Sequence, residues 1–224
     1  MKLGSQSAVF FTTVLLGAIT CLTGCATTGM DRATTTTNSM QTVEGDYKQA
    51  SLQIDTTRAS LEELIKPDQT DTKKAYDAYT ANVVKMEKSG KQLDTHTEKM
   101  RVKGNDYFAE WENSYTNPEI RELSERRRIE IREGYVKISE ASIGVKGALK
   151  SYLTDIGEIQ KYLSNDLTPQ GIESIRPVAQ RAMTDGDNLK ETVKPVLAAI
   201  DRVKIDMVQG GMNKGPATGD DQKQ

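Results

Sequence analysis

From Ala33 to Leu64, small or apolar residues return every three or four positions without a break: Ala33, Thr36, Met40, Val43, Tyr47, Ala50, Ile54, Thr57, Leu61 and Leu64. On a helix that spacing draws one narrow stripe, the pattern of a coiled-coil seam. A strand would need alternation at every second residue, and no segment of the chain alternates long enough for that. The same step recurs three more times. A second seam is Thr72, Tyr76, Tyr79, Val83, Met86, Gly90, Leu93, Thr97, Met100, Gly104, Tyr107 and Trp111. A third is Ile120, Leu123, Ile131, Gly134, Ile138, Ala141, Val145, Ala148, Tyr152, Ile156, Ile159 and Leu163, with a drift in phase around Tyr152. The fourth is Ile172, Ile175, Ala179, Ala182, Gly186, Leu189, Val193, Val196, Ile200, Val203 and Met207.

Breaks between the seams fall where turn chemistry predicts them. Pro67 disfavours helical geometry in the residue before it, so the first helix should stop near Lys66. Asp68 or Asp71 can cap the second, and Pro118 suits the first position of the third. Asn165, Asp166 and Thr168 ahead of Pro169 mark a stop and a fresh start. The expected helices span 33–66, 71–112, 118–164 and 168–208. Pro177 and Pro195 each remove a backbone donor from the fourth and should bend it. The expected fold class is all-α, a long antiparallel bundle of four helices with coiled-coil packing. A three-helix bundle with the first helix partly detached is the alternative.

The N-terminus differs from all of this. Residues 3–24 carry no charge, Lys2 alone precedes them, and the apolar stretch Ala8 to Leu22 is broken by Thr12, Thr13 and Thr20. That is too short for a bilayer span of roughly 20 apolar residues, and it fits the core of a signal peptide. Leu22, Thr23 and Gly24 ahead of Cys25 read as a lipobox, an apolar and two small residues before an acylated cysteine. The expectation is a lipoprotein signal over 1–24, lipidation at Cys25, and a linker over 25–32. Of the two cysteines, Cys21 leaves with the signal, so no disulfide can form within the mature monomer. Ala26 stands where enterobacterial lipoproteins kept in the inner membrane carry Asp, which favours the outer membrane, with the bundle in the periplasm. From 209 to 224 glycine, proline and polar residues dominate, and a disordered tail is expected.

Charge narrows the partners. Without Lys2, 29 of the 30 basic residues face 32 acidic ones, leaving about −3 on the mature chain. A nucleic-acid binder would show a basic face, so none is expected as a partner. The signal and lipobox, with the stretches Asn38-Ser39-Met40-Gln41-Thr42-Val43-Glu44, Gly144-Val145-Lys146-Gly147-Ala148-Leu149-Lys150 and Tyr162-Leu163-Ser164-Asn165-Asp166-Leu167-Thr168-Pro169, resemble domain-of-unknown-function family 2959, a set of helical lipoprotein-like proteobacterial proteins. The resemblance covers nearly the whole mature chain and implies no activity. The label "DNA repair ATPase" carried by some members finds no support in these residues.

No chemistry-bearing motif stands out. Gly144 to Ser151 approaches a phosphate loop, but its glycines are too close, no strand precedes it, and a helical seam runs through it. Two small residues at a tight helix contact are the expected reading there. His96, the single histidine, falls between seam positions Leu93 and Thr97 and is expected on the solvated surface. One histidine and no free cysteine leave no zinc set, so no metal, cofactor or catalytic residue is assigned. Arg126, Arg127 and Arg128 lie among Glu122, Glu125, Glu130 and Glu133, a self-compensated face that could also meet anionic headgroups.

Three packing expectations follow. Tyr107, Phe108 and Trp111 should meet Ile120 and Leu123 at the anchor end. Gly90 should accept the ring of Tyr47, and Gly147 and Gly186 should let the third and fourth backbones approach. The functional expectation is a non-enzymatic spacer, scaffold or partner-binding bundle, anchored in the outer membrane by acyl chains and meeting an envelope protein. Self-association remains open. The alternative is a protein that opens its middle to hold a lipid or another apolar ligand.

Overall fold

The computed structural model describes residues 28–111 and 114–209. The expected signal peptide and lipobox, with Cys25, lie outside them, as does the expected disordered tail apart from Gln209. Four helices run in order: α1 (Gly29–Leu64), α2 (Thr72–Ala109), α3 (Pro118–Asn165) and α4 (Pro169–Gln209). The described residues contain no strand. Each helix touches its sequence neighbours, α1 also touches α4, and the diagonal pairs do not come into backbone contact. With consecutive helices joined by short turns, this is a square, antiparallel four-helix bundle. The three-helix alternative falls, because α1 is packed along its length against α2 and α4.

Two helix ends differ from the sequence reading by three or more residues. α1 starts four residues early, inside the expected linker, because Thr28 and Asp31 form a reciprocal capping box. Asp31 accepts from the Thr28 backbone at 3.1 Å and from its hydroxyl at 2.6 Å. These bonds hold its carboxyl below the usual range. α2 stops at Ala109 rather than 112. Asp71 caps α2 as expected, accepting from the Lys74 amide at 3.0 Å; Asn117 caps α3, accepting from the Glu119 amide at 2.9 Å, and Thr168 accepts from the Gly171 amide at 3.1 Å at the start of α4. α4 continues through Pro177 and Pro195, both on its exposed side.

Every expected seam residue of α1 is buried. The α4 seam is buried from Ala179 to Val203. Covering side chains such as Met40, Ile54, Leu61, Ile156 and Ile200 stabilises by about 1.5–3 kcal/mol each before chain entropy is counted. α3 departs from expectation. Its buried positions include Tyr135, Ser142 and Leu149, not Gly134, Ala141 and Ala148, which are one residue earlier. The bulk of the Tyr135 ring and the Leu149 side chain needs the interior more than a glycine or an alanine does.

Tyrosine hydroxyls tie α2 to α3. Tyr79 donates to the Ile156 carbonyl at 2.7 Å, Tyr76 to Gln160 at 3.3 Å, and Tyr135 to Met100. Burial pushes the phenols of Tyr79 and Tyr135 up, so they remain donors at any physiological pH.

Candidate functional site

α2 and α3 are the least closely packed neighbours in the bundle, and a cleft opens between them at mid-length. Two close approaches bound it. Toward the end where α1 begins, the Tyr135 ring lies directly on Gly104, where a side chain would collide with it. Toward the other end Leu149 and Leu153 close over Gly90. Between them α2 presents Leu93, Thr97 and Met100, and α3 presents Ser139, Ser142, Val145 and Leu149. Ser142 occupies a core position that neighbouring layers fill with Ile138 or Val145, and this shortfall in volume leaves the gap. The cavity measures about 530 Å³, within the range of small-ligand sites.

Hydroxyls line the floor. Tyr47 reaches across the bundle from α1 and donates to Ser142 Oγ at 3.3 Å, while Ser142 donates to the Ile138 carbonyl at 2.7 Å. Burial pushes the Tyr47 phenol up, and its hydrogen bond to Ser142 offsets part of that. Thr97 Oγ1 is closed off from solvent and has no hydrogen-bond partner. Thr80 on the same helix shares that state, whereas Thr36, Thr42 and Thr95 bond back four residues to Arg32, Asn38 and Lys91. Charged pairs form the rim: Lys146 with Asp94 at 2.6 Å and Arg101 with Glu98 at 2.6 Å. Ile143, 73% exposed, stands at the mouth. The site is an apolar slot with a hydroxyl floor and a charged rim. It holds no paired carboxylates or nucleophile–base couple. No group of three metal-ligating side chains occurs among the described residues.

Other expected positions turn out differently. His96 is not a solvated surface residue. Its Nδ1 lies 2.5 Å from Asp46, which Gln92 also contacts at 2.8 Å, and the cluster bridges α1 and α2. Gly147 faces open space, so neither a tight contact around Gly144–Ser151 nor an approach to Gly186 exists. Gly186 instead borders Tyr152, Arg58 and Ile54, because α4 there packs on α1 and receives a ring from α3. Tyr47 does not fill the space at Gly90, since its ring is directed to Ser142.

At the end where α1 begins the three rings do cluster, but not on Ile120 and Leu123: Tyr107 is edge-on to Phe108 at 5.2 Å and to Trp111 at 5.5 Å. Their partners are Ala33, Ile131, Tyr135 and Met207. Ile120 and Leu123 remain exposed, because α3 begins well beyond the last residues of its neighbours. Trp111 does reach the start of α3, donating to Ser124 Oγ at 2.9 Å. The arginine run is self-compensated: Arg126 pairs with Glu122 at 3.4 Å and Arg128 with Glu125 at 2.6 Å, while Arg127 donates to the Asp206 carbonyl near the end of α4.

No described helix is long and apolar enough to cross a membrane. These features define an antiparallel four-helix bundle with a lateral, partly polar cleft. The chain belongs to the family described as "Protein of unknown function (DUF2959)", which matches residues 24–204. No curated protein and no solved structure matches the chain.

Proposed function

We propose that the chain is a lipid-anchored, non-enzymatic protein of the cell envelope, held in the outer membrane through Cys25. Its helices stand in the periplasm as a spacer or scaffold for an envelope partner. The observation that carries this is a continuous core along four helices of 36 to 48 residues, with no convergent catalytic groups among the described residues. Such a rod of about 70 Å suits holding components apart better than it suits enclosing a reaction. Photo-crosslinkers placed in cells at the exposed positions Leu52, Val84 and Val136 test it. A scaffold gives adducts of one mass confined to one face. Absence of adducts at all three positions contradicts the proposal.

The α2–α3 cleft favours a second reading, an amphiphile-binding protein, because a slot of small-ligand size with largely apolar walls opens there beneath a charged rim. Its test is native mass spectrometry of the Cys25→Ser chain purified from cells. A stoichiometric, solvent-extractable lipid supports binding, and a bare chain that also fails to take up added fatty acid contradicts it.

A further inference from the structure

We infer that the first two turns of α3 rest in the lipid headgroup layer, so that Ile120 and Leu123 form a second membrane contact beside the acyl anchor. The inference depends on the lipidation of Cys25 proposed above. Its geometry comes from comparing two lengths at the same end of the bundle. Ala33 of α1 and Ile131 of α3 share a small buried cluster and therefore lie at one level. Thr28 is five residues before Ala33, about 8 Å farther along the axis, whereas Pro118 is thirteen residues before Ile131, about 20 Å farther. The tip of α3 thus overhangs the start of α1 by about 12 Å. Thr28 is three residue steps from Cys25, and a chain that short spans at most about 11 Å even fully extended. With the bundle upright and Cys25 at the membrane surface, Pro118 is level with the headgroups or within them. The anchor is too short to hold the tip away.

The residues at that tip suit the location. Ile120 is 47% exposed and Leu123 is 55% exposed, and they continue the apolar seam of α3 past the point where α2 and α4 provide cover. Arg121, beside them, has no ion pair among the described residues and can meet a phosphate. An apolar stripe that outlasts its bundle and ends level with the lipid anchor fits a lipid surface better than a distant protein partner.

The test uses the full-length chain, processed in cells and returned to vesicles of phosphatidylethanolamine and phosphatidylglycerol. Acylation blocks Cys25 and processing removes Cys21, so Ile120→Cys provides a single thiol for an environment-sensitive fluorophore. Ser164→Cys, about 66 Å away along α3, is the control. Headgroup-nitroxide lipid should quench the label at 120 at least twofold and leave the label at 164 unchanged. With the label moved to position 121 by Arg121→Cys, adding Ile120→Glu and Leu123→Glu should reduce quenching at least twofold. Both replaced side chains are exposed, and unchanged helicity would verify that the bundle is intact. An acylated, vesicle-bound chain whose label at 120 is unquenched overturns this inference alone. A label shielded from water yet unquenched by lipid overturns it in favour of a protein covering. A chain without acyl mass overturns both this inference and the anchoring it depends on.

Discussion

Replacing Gly104 with alanine should destabilise the protein, although the same change at Gly147 should stabilise it. Both glycines are inside helices, where alanine is favoured by about 1 kcal/mol. At Gly147 nothing lies within 4 Å of the added carbon, so that gain should appear nearly whole. At Gly104 the carbon would collide with the ring and hydroxyl of Tyr135, whose O–H donates to the Met100 carbonyl. Displacing a packed ring costs about 1–3 kcal/mol. Leaving its buried hydroxyl without a partner costs roughly another 1–3 kcal/mol. Set against the helix gain, the net loss is about 1–5 kcal/mol. At about 2–4 °C per kcal/mol for a chain of this size, the melting temperature should fall by at least a few degrees. Urea titration followed by far-ultraviolet circular dichroism measures both variants on one scale. A Gly104→Ala midpoint equal to or above wild type would refute the close α2–α3 approach that bounds the cleft.

Thr97→Val removes a hydroxyl that is closed off and unpartnered, and should stabilise the ligand-free chain by about 1 kcal/mol in the same titration. A loss of that size would mean that the hydroxyl is satisfied. Lys204 from α4 and Lys48 hydrogen-bond Glu44 and hold its carboxyl below its ordinary value. That stabilisation is present above the unfolded-state pKa and is lost as pH falls through the lower folded-state one. Lys204→Met should therefore cost about 1 kcal/mol at pH 7 and much less near pH 3, read as the difference between urea midpoints. In a double-mutant cycle, Asp46→Asn and His96→Gln should couple by about 0.5–1 kcal/mol; additive effects would mean that the pair contributes nothing beyond its separate parts.

The architecture was legible because a step of three and four, sustained over the length of α1, has one structural meaning, and because Pro67, Pro118 and Pro169 mark the turns. What periodicity cannot encode is where a helix loses its neighbours. Ile120 and Leu123 keep the step of α3, yet they lie beyond the ends of α2 and α4, a matter of relative helix length and stagger. Nor does it resolve a slip of one residue when small side chains sit on both candidate stripes. Ala141 and Ser142 are nearly equal in size, and the choice was made elsewhere, by Tyr135 and Leu149. The cleft was missed for that reason: with Ala141 on the seam, Ser142 does not stand opposite Thr97, and no polar gap is visible. The glycines misled in a related way. A seam glycine does mark close approach, as at Gly104, but the partner is decided by long rings crossing the bundle and not by counting residues back from a turn. His96 carried no signal at all, since its partner Asp46 is fifty residues away on another helix.

Intact-mass measurement of the native protein extracted from outer-membrane fractions tests the anchoring claim most directly. The account predicts a chain that begins at Cys25 and carries the added mass of a diacylglyceryl group, with or without an N-linked acyl chain. In the Cys25→Ser variant that lipid mass should be absent, with the protein either soluble or still bearing its signal. A native chain recovered at the unmodified mass of residues 1–224, or a processed chain without lipid, would contradict it.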